Sequence, residues 1–448
     1  MDYATAVRYL LSLGRELAAP TQAAAAKFNL ENITILLERL GRPERAYPTL
    51  HIAGTNGKGS TAAFAESVLR QAQFRTGLNT SPHLERITER FRIDGEEISE
   101  ELFAGTFTRI HSVIEELLAE GKLRAHPSYF ECVTALAFAV FAHERVEFAV
   151  IEVGLGGRLD ATNVINPVIS VVTRIDFDHE NFLGHSLREI AREKAGILKH
   201  GVPVVSAPQL PEAREVLLAR AAQLDCPLIE TADAFHIDEE RLEAGRVRAR
   251  VTEVATRTQF SLAPQLPGRF QLENALNAVA AAHLLQSKHF RITKESIERG
   301  IAEARWPGRM EKLQSSPDVY LDGAHNPGAA RELARFLEET FAGRRIVLVY
   351  GAMRDKAVDE VAGLLFPLAA EIIFTQPDNP RAVSARQLAQ IAGHHAARFL
   401  TIDNAETALD HALALAGPAD AIFITGSLYL VGQLRRAWMR CHPRAVIG

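Results

Sequence analysis

Leu50-His51-Ile52-Ala53-Gly54-Thr55-Asn56-Gly57-Lys58-Gly59-Ser60-Thr61 runs from an apolar strand through a glycine-rich turn, with a lysine between two glycines, into a helical pattern from Ala62 to Gln71. That succession suits phosphate. Glycines let backbone N–H groups close around phosphate oxygens, the helix N-terminus adds positive potential, and a lysine at this point neutralises a β- or γ-phosphate. The spacing departs from the generic G-x-x-x-x-G-K-[ST] loop, because Ile52 stands where the first glycine would be and Gly59 separates Lys58 from Ser60. An ordinary glycine-rich strand-to-helix turn leaves the placement of Lys58 unexplained, so phosphate binding is the expectation.

Outward from this loop, apolar runs ending in Gly, Asp or Ser alternate with helical patterns, the signature of βαβ units and a mainly parallel sheet. Expected strands are Pro48 to Ala53, Phe148 to Val153, Ile169 to Val172 and Val202 to Val205. Between about Asp238 and Ser261 the alternation becomes charged, centred on Arg246-Val247-Arg248-Ala249-Arg250-Val251, which predicts one or two antiparallel, half-exposed strands at a sheet edge. A helical stretch from Asn274 to Leu285 is followed by Trp306-Pro307-Gly308, a break after which strands recur at Val319 to Leu321, Ile346 to Tyr350, Glu371 to Thr375 and Ala421 to Thr425. The expected fold class is therefore α/β: an N-terminal phosphate-loop domain with a mainly parallel sheet, residues 1–302, and a smaller Rossmann-like domain, residues 303–448.

Composition removes several alternatives. The 448 residues are 47% hydrophobic and 23% charged, with 29 Gly and 20 Pro, which excludes disorder, collagen-like repeats and coiled coil. Fifty Lys and Arg against 55 Asp and Glu give a net charge of -5, with no general attraction to nucleic acid or an anionic membrane. The longest uncharged apolar run, Cys132 to Ala142, is too short to span a bilayer and predicts a buried helix. Met1-Asp2-Tyr3-Ala4 lacks a secretory pattern, and the three cysteines are scattered, so a cytoplasmic setting is expected. The periodicity offers no large unpaired apolar stripe, and a monomer is expected.

Two further strands end in residues suited to magnesium, a hard cation that takes oxygen ligands. Glu152 lies in an apolar strand, where a carboxylate is costly to bury unless it binds a metal or pairs, for instance with Arg158. Gly154-Leu155-Gly156-Gly157 is only a partial dinucleotide fingerprint, because Asn163 to Pro167 reads as a turn where that motif needs a helix. Thr173-Arg174-Ile175-Asp176-Phe177-Asp178-His179 follows a strand at the ligand-binding edge of a parallel sheet; each could equally be a turn residue or cap, and Asp176 is read as nothing more. Ser186-Leu187-Arg188-Glu189 reads as a capping box. Leu187, Ile190, Ala191 and Lys194 then share one helix face, so Lys194 falls on the buried side, while Arg188, Arg192 and Lys199 supply solvated charge. The alternative for Lys194 is a lysine that snorkels to water.

At this point the motifs resemble a known family. Gly54-Thr55-Asn56-Gly57-Lys58-Gly59-Ser60, Thr80-Ser81-Pro82-His83-Leu84 with Glu89-Arg90, Glu152 to Asn163, Asp176-Phe177-Asp178-His179, Glu193-Lys194-Ala195-Gly196, Pro307-Gly308-Arg309 and Asp322-Gly323-Ala324-His325-Asn326-Pro327 are similar to the folylpolyglutamate synthase / dihydrofolate synthase family of the Mur ligase superfamily, in that family's order from about residue 30 onward. The resemblance implies a Mur-type ATP-binding domain, a glutamate-ligase domain, and an ATP-dependent carboxylate–amine ligase that adds L-glutamate to dihydropteroate or a folyl-polyglutamate through an acyl phosphate. By motif, Lys58 with Thr55, Asn56, Gly57, Gly59 and Ser60 would hold the triphosphate, and Ser81, Glu152 and His179 the magnesium. Lys194 matches the lysine that the superfamily converts to a carbamate, which agrees with its buried face. Asn274, Arg309, Asp322 and His325 match nucleotide-binding positions, and Phe130 and Asp160 positions near a pterin pocket, where an aromatic ring stacks and a carboxylate accepts N–H donors. Arg381 in Asp378-Asn379-Pro380-Arg381 would pair with the incoming glutamate, a plain proline turn being the alternative. Two other readings are a peptidoglycan-precursor ligase, which usually carries an extra N-terminal domain before the phosphate loop, and a phosphate-loop phosphotransferase, which would not need Lys194, Asp322 or His325.

Overall fold

The strand that precedes the glycine turn and its neighbours are mostly apolar, and the structure shows why. The computed structural model describes residues 1–13, 29–123 and 125–442. Among these, β1 (Thr49–Ala53), β2 (Thr76–Asn79), β3 (Phe91–Ile93), β4 (Glu96–Glu97), β5 (Phe148–Glu152), β6 (Ile169–Val172), β7 (Val204–Ser206) and β8 (Leu228–Glu230) form one sheet in the order β4-β3-β2-β5-β1-β6-β7-β8. Its pairings are parallel except β2 with β3 and β3 with β4. Every residue of β1 and β5 is buried, as a parallel sheet covered on both faces requires. Alternate side chains divide between two cores. Leu50, Ile52, Phe148 and Val150 pack with helices Lys58–Gln71 and Phe270–Ser287, while Ala149 and Ile151 pack with helix Tyr129–His143.

That last helix is the one expected from the apolar run at Cys132, started by a capping box between Ser128 and Glu131. No helix among the described residues is long and apolar enough to cross a membrane.

The charged alternating segment departs from expectation. It makes β9 (Phe235–Glu243), β10 (Arg246–Glu253) and β11 (Gln259–Leu262), a separate antiparallel sheet in the order β11-β10-β9 rather than an edge of the main one. Val247, Ala249 and Val251 of β10 are buried in the same core as Leu272, Ala275 and Val279 of helix Phe270–Ser287. On the other face, Arg248 and Arg250 pair with Glu243 at 2.7 Å and Glu239 at 3.1 Å. The alternation marks the buried row correctly, but it does not say which element will cover it.

Beyond Trp306-Pro307-Gly308, β12 (Glu311–Gln314), β13 (Asp318–Leu321), β14 (Ile346–Tyr350), β15 (Glu371–Gln376), β16 (Phe399–Asn404) and β17 (Ala421–Thr425) form a sheet in the order β12-β13-β17-β14-β15-β16, parallel except for β12 against β13. The four expected strands are its centre. The two unexpected ones are its edges, where β12 is half charged and β16 leaves Phe399 and Leu400 exposed. The C-terminal helix Leu428–Cys441 ties this half to the first, its Arg435 meeting Glu311 at 3.0 Å and Glu85 at 2.5 Å.

Two histidines in the first half, His51 fully buried and His83 partly so, stay neutral. His51 of β1 lies with Nε2 2.9 Å from Thr162 Oγ1. Thr162 gives its own proton to Asp160 Oδ1 at 2.5 Å, so His51 must donate through Nε2 and carry no proton on Nδ1, which has no partner among the described residues. Burial, helped by the charge of Lys199, draws its pKa down to about 3. Nδ1 of His83 accepts from Arg90 Nε at 2.8 Å, and burial with that positive charge also draws it down to about 3.

In the unfolded chain both rings titrate near 6.5, so below that pH the unfolded state binds more protons and stability falls with pH until the folded values are reached. Each ring contributes a slope approaching ~1.4 kcal/mol per pH unit. Urea unfolding at successive pH values between 6.5 and 4 is expected to show a loss of about 2–3 kcal/mol per unit from this pair. A flat profile over that range would contradict the neutral assignment.

Candidate active site

The cleft begins where β1 stops. Gly57 takes a left-handed conformation, φ +86°, at the cap position of helix Lys58–Gln71, which starts four residues before the expected Ala62 and has no side-chain cap. Its first N–H groups are thus left for an anion. The side chain of Asn274 lies against Gly57, where a Cβ would fall 2.2 Å from its Oδ1, and the indole of Trp306 lies against Gly59 in the same way, 2.8 Å from Nε1. The Arg92 guanidinium sits 5.3 Å over that indole. The loop is also pinned to the end of β6: Thr55 Oγ1 donates to the Asp176 carbonyl at 2.9 Å and accepts from the Asp176 N–H at 3.0 Å.

Thr55, Asn56, Gly57, Lys58, Gly59, Ser60, Ser81, Glu152, His179, Lys194, Asn274, Arg309, Asp322 and His325 all line this one cleft. Lys58 Nζ donates to the Thr55 carbonyl at 3.2 Å and Lys194 Nζ to the Gly54 carbonyl at 2.7 Å, so both lysines hold successive carbonyls at the start of the turn. The Ser186 capping box starts the helix that carries Lys194, and its face is buried as its spacing implies. Burial, and then the charge of Lys58, draws the Lys194 pKa down to about 7.

Glu152 does not pair with Arg158, whose guanidinium meets Glu193 at 2.9 Å. Glu152 instead accepts the Ser81 N–H at 3.0 Å. Burial pushes its carboxyl up, opposed by the charges of Lys58 and Arg309 and by that hydrogen bond. Ser81 Oγ is buried with no hydrogen-bond partner among the described residues. A buried carboxylate and an unpartnered hydroxyl oxygen fit a hard divalent cation, which would give both oxygens a partner. His179 offers nitrogen, and its Nε2 lies 3.4 Å from Lys356 Nζ. Burial and Lys356 draw that ring down to about 4, which keeps it neutral, with one ring nitrogen carrying a free lone pair.

Across the cleft, Asp322 accepts N–H groups from Met310 at 3.0 Å and Ala324 at 2.9 Å, while burial pushes its carboxyl up against the pull of Arg309. His325 Nδ1 donates to the Gly323 carbonyl at 2.7 Å, leaving Nε2 toward Asp178 at 3.5 Å. Asp178 is the meeting point of the two halves. It takes Lys356 at 2.6 Å and Asn326 Nδ2 at 3.1 Å, and although burial opposes it, the hydrogen bond and charge of His325, with Lys356, hold its carboxyl well below the usual range. Asp176, read from sequence as a mere turn residue, is buried and pairs with Arg331 of the second half at 2.6 Å. Asn56 and Asn326 exchange side-chain hydrogen bonds at 3.2 and 3.0 Å.

The three expected substrate residues stand outside this lining. The Phe130 ring packs on Gly154, where a Cβ would fall 2.3 Å from its Cζ, and Asp160 accepts the Leu155 N–H at 2.9 Å, so both touch the segment that forms the cleft wall. Arg381 lies beside Tyr429, its guanidinium donating to the hydroxyl at 3.0 Å, and Asn379 Oδ1 accepts its N–H at 2.9 Å as in a turn. Sequence reasoning missed Lys356 and Arg331. Lys356 follows the C-terminal end of β14, on the ligand edge of a parallel sheet, and that position was its available signal. Arg331 lies within a helix, Pro327–Thr340, and nothing in its local pattern points across the cleft.

With this geometry in place, comparison with known proteins is direct. Residues 52–282 match the Mur ligase middle domain and residues 308–428 the Mur ligase glutamate ligase domain. A dihydrofolate synthase/folylpolyglutamate synthase of Bacillus subtilis is 36% identical over 404 residues, covering 90% of this chain and 93% of that one, and its Escherichia coli namesake is 31% identical over 90% of each. Folylpolyglutamate synthase of Mycobacterium tuberculosis, complexed with ADP and AMPPCP, superposes with a TM-score of 0.86 at 34% identity, over 92% of this chain and 95% of that one. Escherichia coli FolC in complex with DHPP and ADP gives a TM-score of 0.86 at 28% identity, over 99% of this chain and all of that one. Both the phosphate-loop half and the half that faces it across the cleft are covered by these matches, so the chain belongs to the folylpolyglutamate synthase / dihydrofolate synthase family of Mur ligases and is an enzyme that forms C–N bonds.

Proposed function

We propose that ATP lies between a phosphate-loop domain, residues 1–302, and a glutamate-ligase domain, residues 303–448, and drives amide formation between the amino group of L-glutamate and the carboxylate of dihydropteroate or of a (tetrahydro)folyl-polyglutamate. The observation that carries this reading is the convergence in one cleft of Lys58, Lys194, Ser81 and Glu152 from the first sheet with Arg309, Asp322 and His325 from the second half. The proposed boundary falls between the two family matches.

In the first step a carboxylate oxygen of the pterin substrate attacks the γ-phosphorus and ADP departs, leaving an acyl phosphate. In the second, the uncharged glutamate amine attacks the acyl carbon, and the tetrahedral intermediate expels inorganic phosphate to leave the amide. Gly57, Gly59 and Ser60 direct N–H and hydroxyl groups at the triphosphate, Thr55 and Asn56 shape the turn around it with their N–H groups held by the Arg174 carbonyl, and Lys58 with Arg309 offsets the charge that accumulates on the transferring phosphoryl group. Asn274 and Asp322 orient the nucleoside, and His325 stands at the phosphates. Ser81, Glu152 and His179 would hold magnesium, which when bound screens the phosphate oxygens. Contacts of Asp176 with Arg331 and Asp178 with Lys356 close the cleft and keep water from the acyl phosphate. Phe130 and Asp160 are the proposed pterin contacts, and Arg381 the contact to the glutamate carboxylate. The proposed setting is the cytoplasm, as a monomer.

Lys194 is proposed to act as a carbamate. The ammonium first loses a proton, the neutral amine adds to the carbon of carbon dioxide and a second proton is released, so that a cation becomes an anion that would support a second magnesium. A pKa near 7 leaves a substantial neutral fraction for that reaction at neutral pH. The conversion also replaces repulsion between Lys194 and Lys58 with attraction.

Purified protein with ATP, magnesium, glutamate and either dihydropteroate or tetrahydrofolate is expected to release ADP only when pterin and amino acid are both present; release without either would point instead to a phosphotransferase. Which of the two acceptors turns over assigns the chain to the synthase step, the extension step or both.

Lys194→Ala is expected to lower kcat by about 10³-fold or more, with partial recovery on adding acetate or propionate, measured by coupled ADP release. Full activity in the variant would remove the lysine from the mechanism. Glu152→Gln is expected to raise the magnesium concentration needed for half-maximal rate by at least about tenfold with unchanged circular dichroism. An unaltered magnesium titration would assign Glu152 a structural role.

A further inference from the structure

We propose that Asp359, His394 and His395, on the C-terminal half and away from the nucleotide cleft, form a zinc site. Asp359 sits in the first turn of helix Val358–Leu365, and the two histidines end the turn Gly393–His395 that follows helix Ala385–Ala392. Both imidazoles aim the same atom at the same oxygen: His395 Nε2 lies 3.1 Å and His394 Nε2 3.5 Å from Asp359 Oδ1, and one ligand atom from each of the three residues lies within 4.8 Å of the others. Donors held about 2.0–2.2 Å from one zinc ion in tetrahedral array stand about 3.3–3.5 Å apart. The two nitrogen–oxygen separations lie close to that spacing and the two nitrogens stand within 4.8 Å of each other, so side-chain rotation would bring the three donors onto one ion.

The donor set is selective by its chemistry. Two imidazole nitrogens and one carboxylate oxygen suit zinc and its first-row neighbours better than magnesium, which prefers an all-oxygen shell. Each Nε2 that now points at Asp359 would give its lone pair to the cation, and the fourth position would stay with water. Gly363, one turn after Asp359, gives the His395 ring room to lie against the helix: a Cβ there would stand 3.3 Å from its Cε1. Asp359 and His394 keep about three fifths of their side-chain surface exposed, so an ion can enter without unfolding, and His395 is half-buried beneath them. The site would clip the start of one helix to the end of another, beside the segment that brings Lys356 to Asp178.

The whole chain, freed of metal by chelation and dialysis, is titrated with zinc chloride by calorimetry and by competition with a chromophoric chelator. One zinc per chain with micromolar affinity is expected, weakened at least about tenfold in His394→Ala and in His395→Ala. Zinc should also raise the Tm of the parent chain by a few degrees and leave that of the variants unmoved. Both variants are expected to keep the parent circular dichroism and turnover. Equal zinc affinity in parent and variants, or uptake of none by the parent, overturns the site. So does an Asp359→Asn chain in which the imidazole titration shifts while neither it nor the parent binds zinc, which would leave only a histidine–aspartate ion pair.

Discussion

A single buried carboxylate, Asp178, holds the two halves of this enzyme in register. It is reached from the other half by Lys356, His325 and Asn326, and a carboxylate so little exposed is tolerable only because those donors surround it. Breaking one partner would leave an uncompensated charge in a site with little water. Polar pairing recurs beside the phosphate loop in the Asp176–Arg331 and Asn56–Asn326 contacts, and Leu84 and Phe270 of the first half add apolar packing against the second.

Much of the central fold could be read from the residues because the strands that matter are short, apolar and bounded by turn residues. β1, β5, β6, β13, β14 and β17 are buried along nearly their whole length, so their pattern is dictated by packing on both faces. Edge elements escaped for the opposite reason. β12 and β16 touch the core along one side, and the ribbon β9 to β11 carries a correct alternation whose covering element lies far away in sequence.

The site divides along similar lines. Lys194 was legible because a capping box and a helical face together place it inward, and Lys58 because it stands between two glycines at the start of a helix that follows an apolar strand. Asp176 was undervalued, and Lys356 and Arg331 escaped, because their importance lies in partners more than 150 residues away, which no local pattern encodes. Charge complementarity across a cleft is a property of the assembled pair. Spacing within one segment reports only what that segment does to itself.

The indole of Trp306 deserves a mechanical reading. It belongs to the stretch that joins the two halves, yet it rests on Gly59 at the mouth of the phosphate loop and is held there by Arg92. Any swing of one half relative to the other about this stretch must drag the ring along the loop or lift it away. The ring thus fills the space beside the start of the phosphate-loop helix, and residue 59 is a glycine because a Cβ there would stand 2.8 Å from the indole nitrogen.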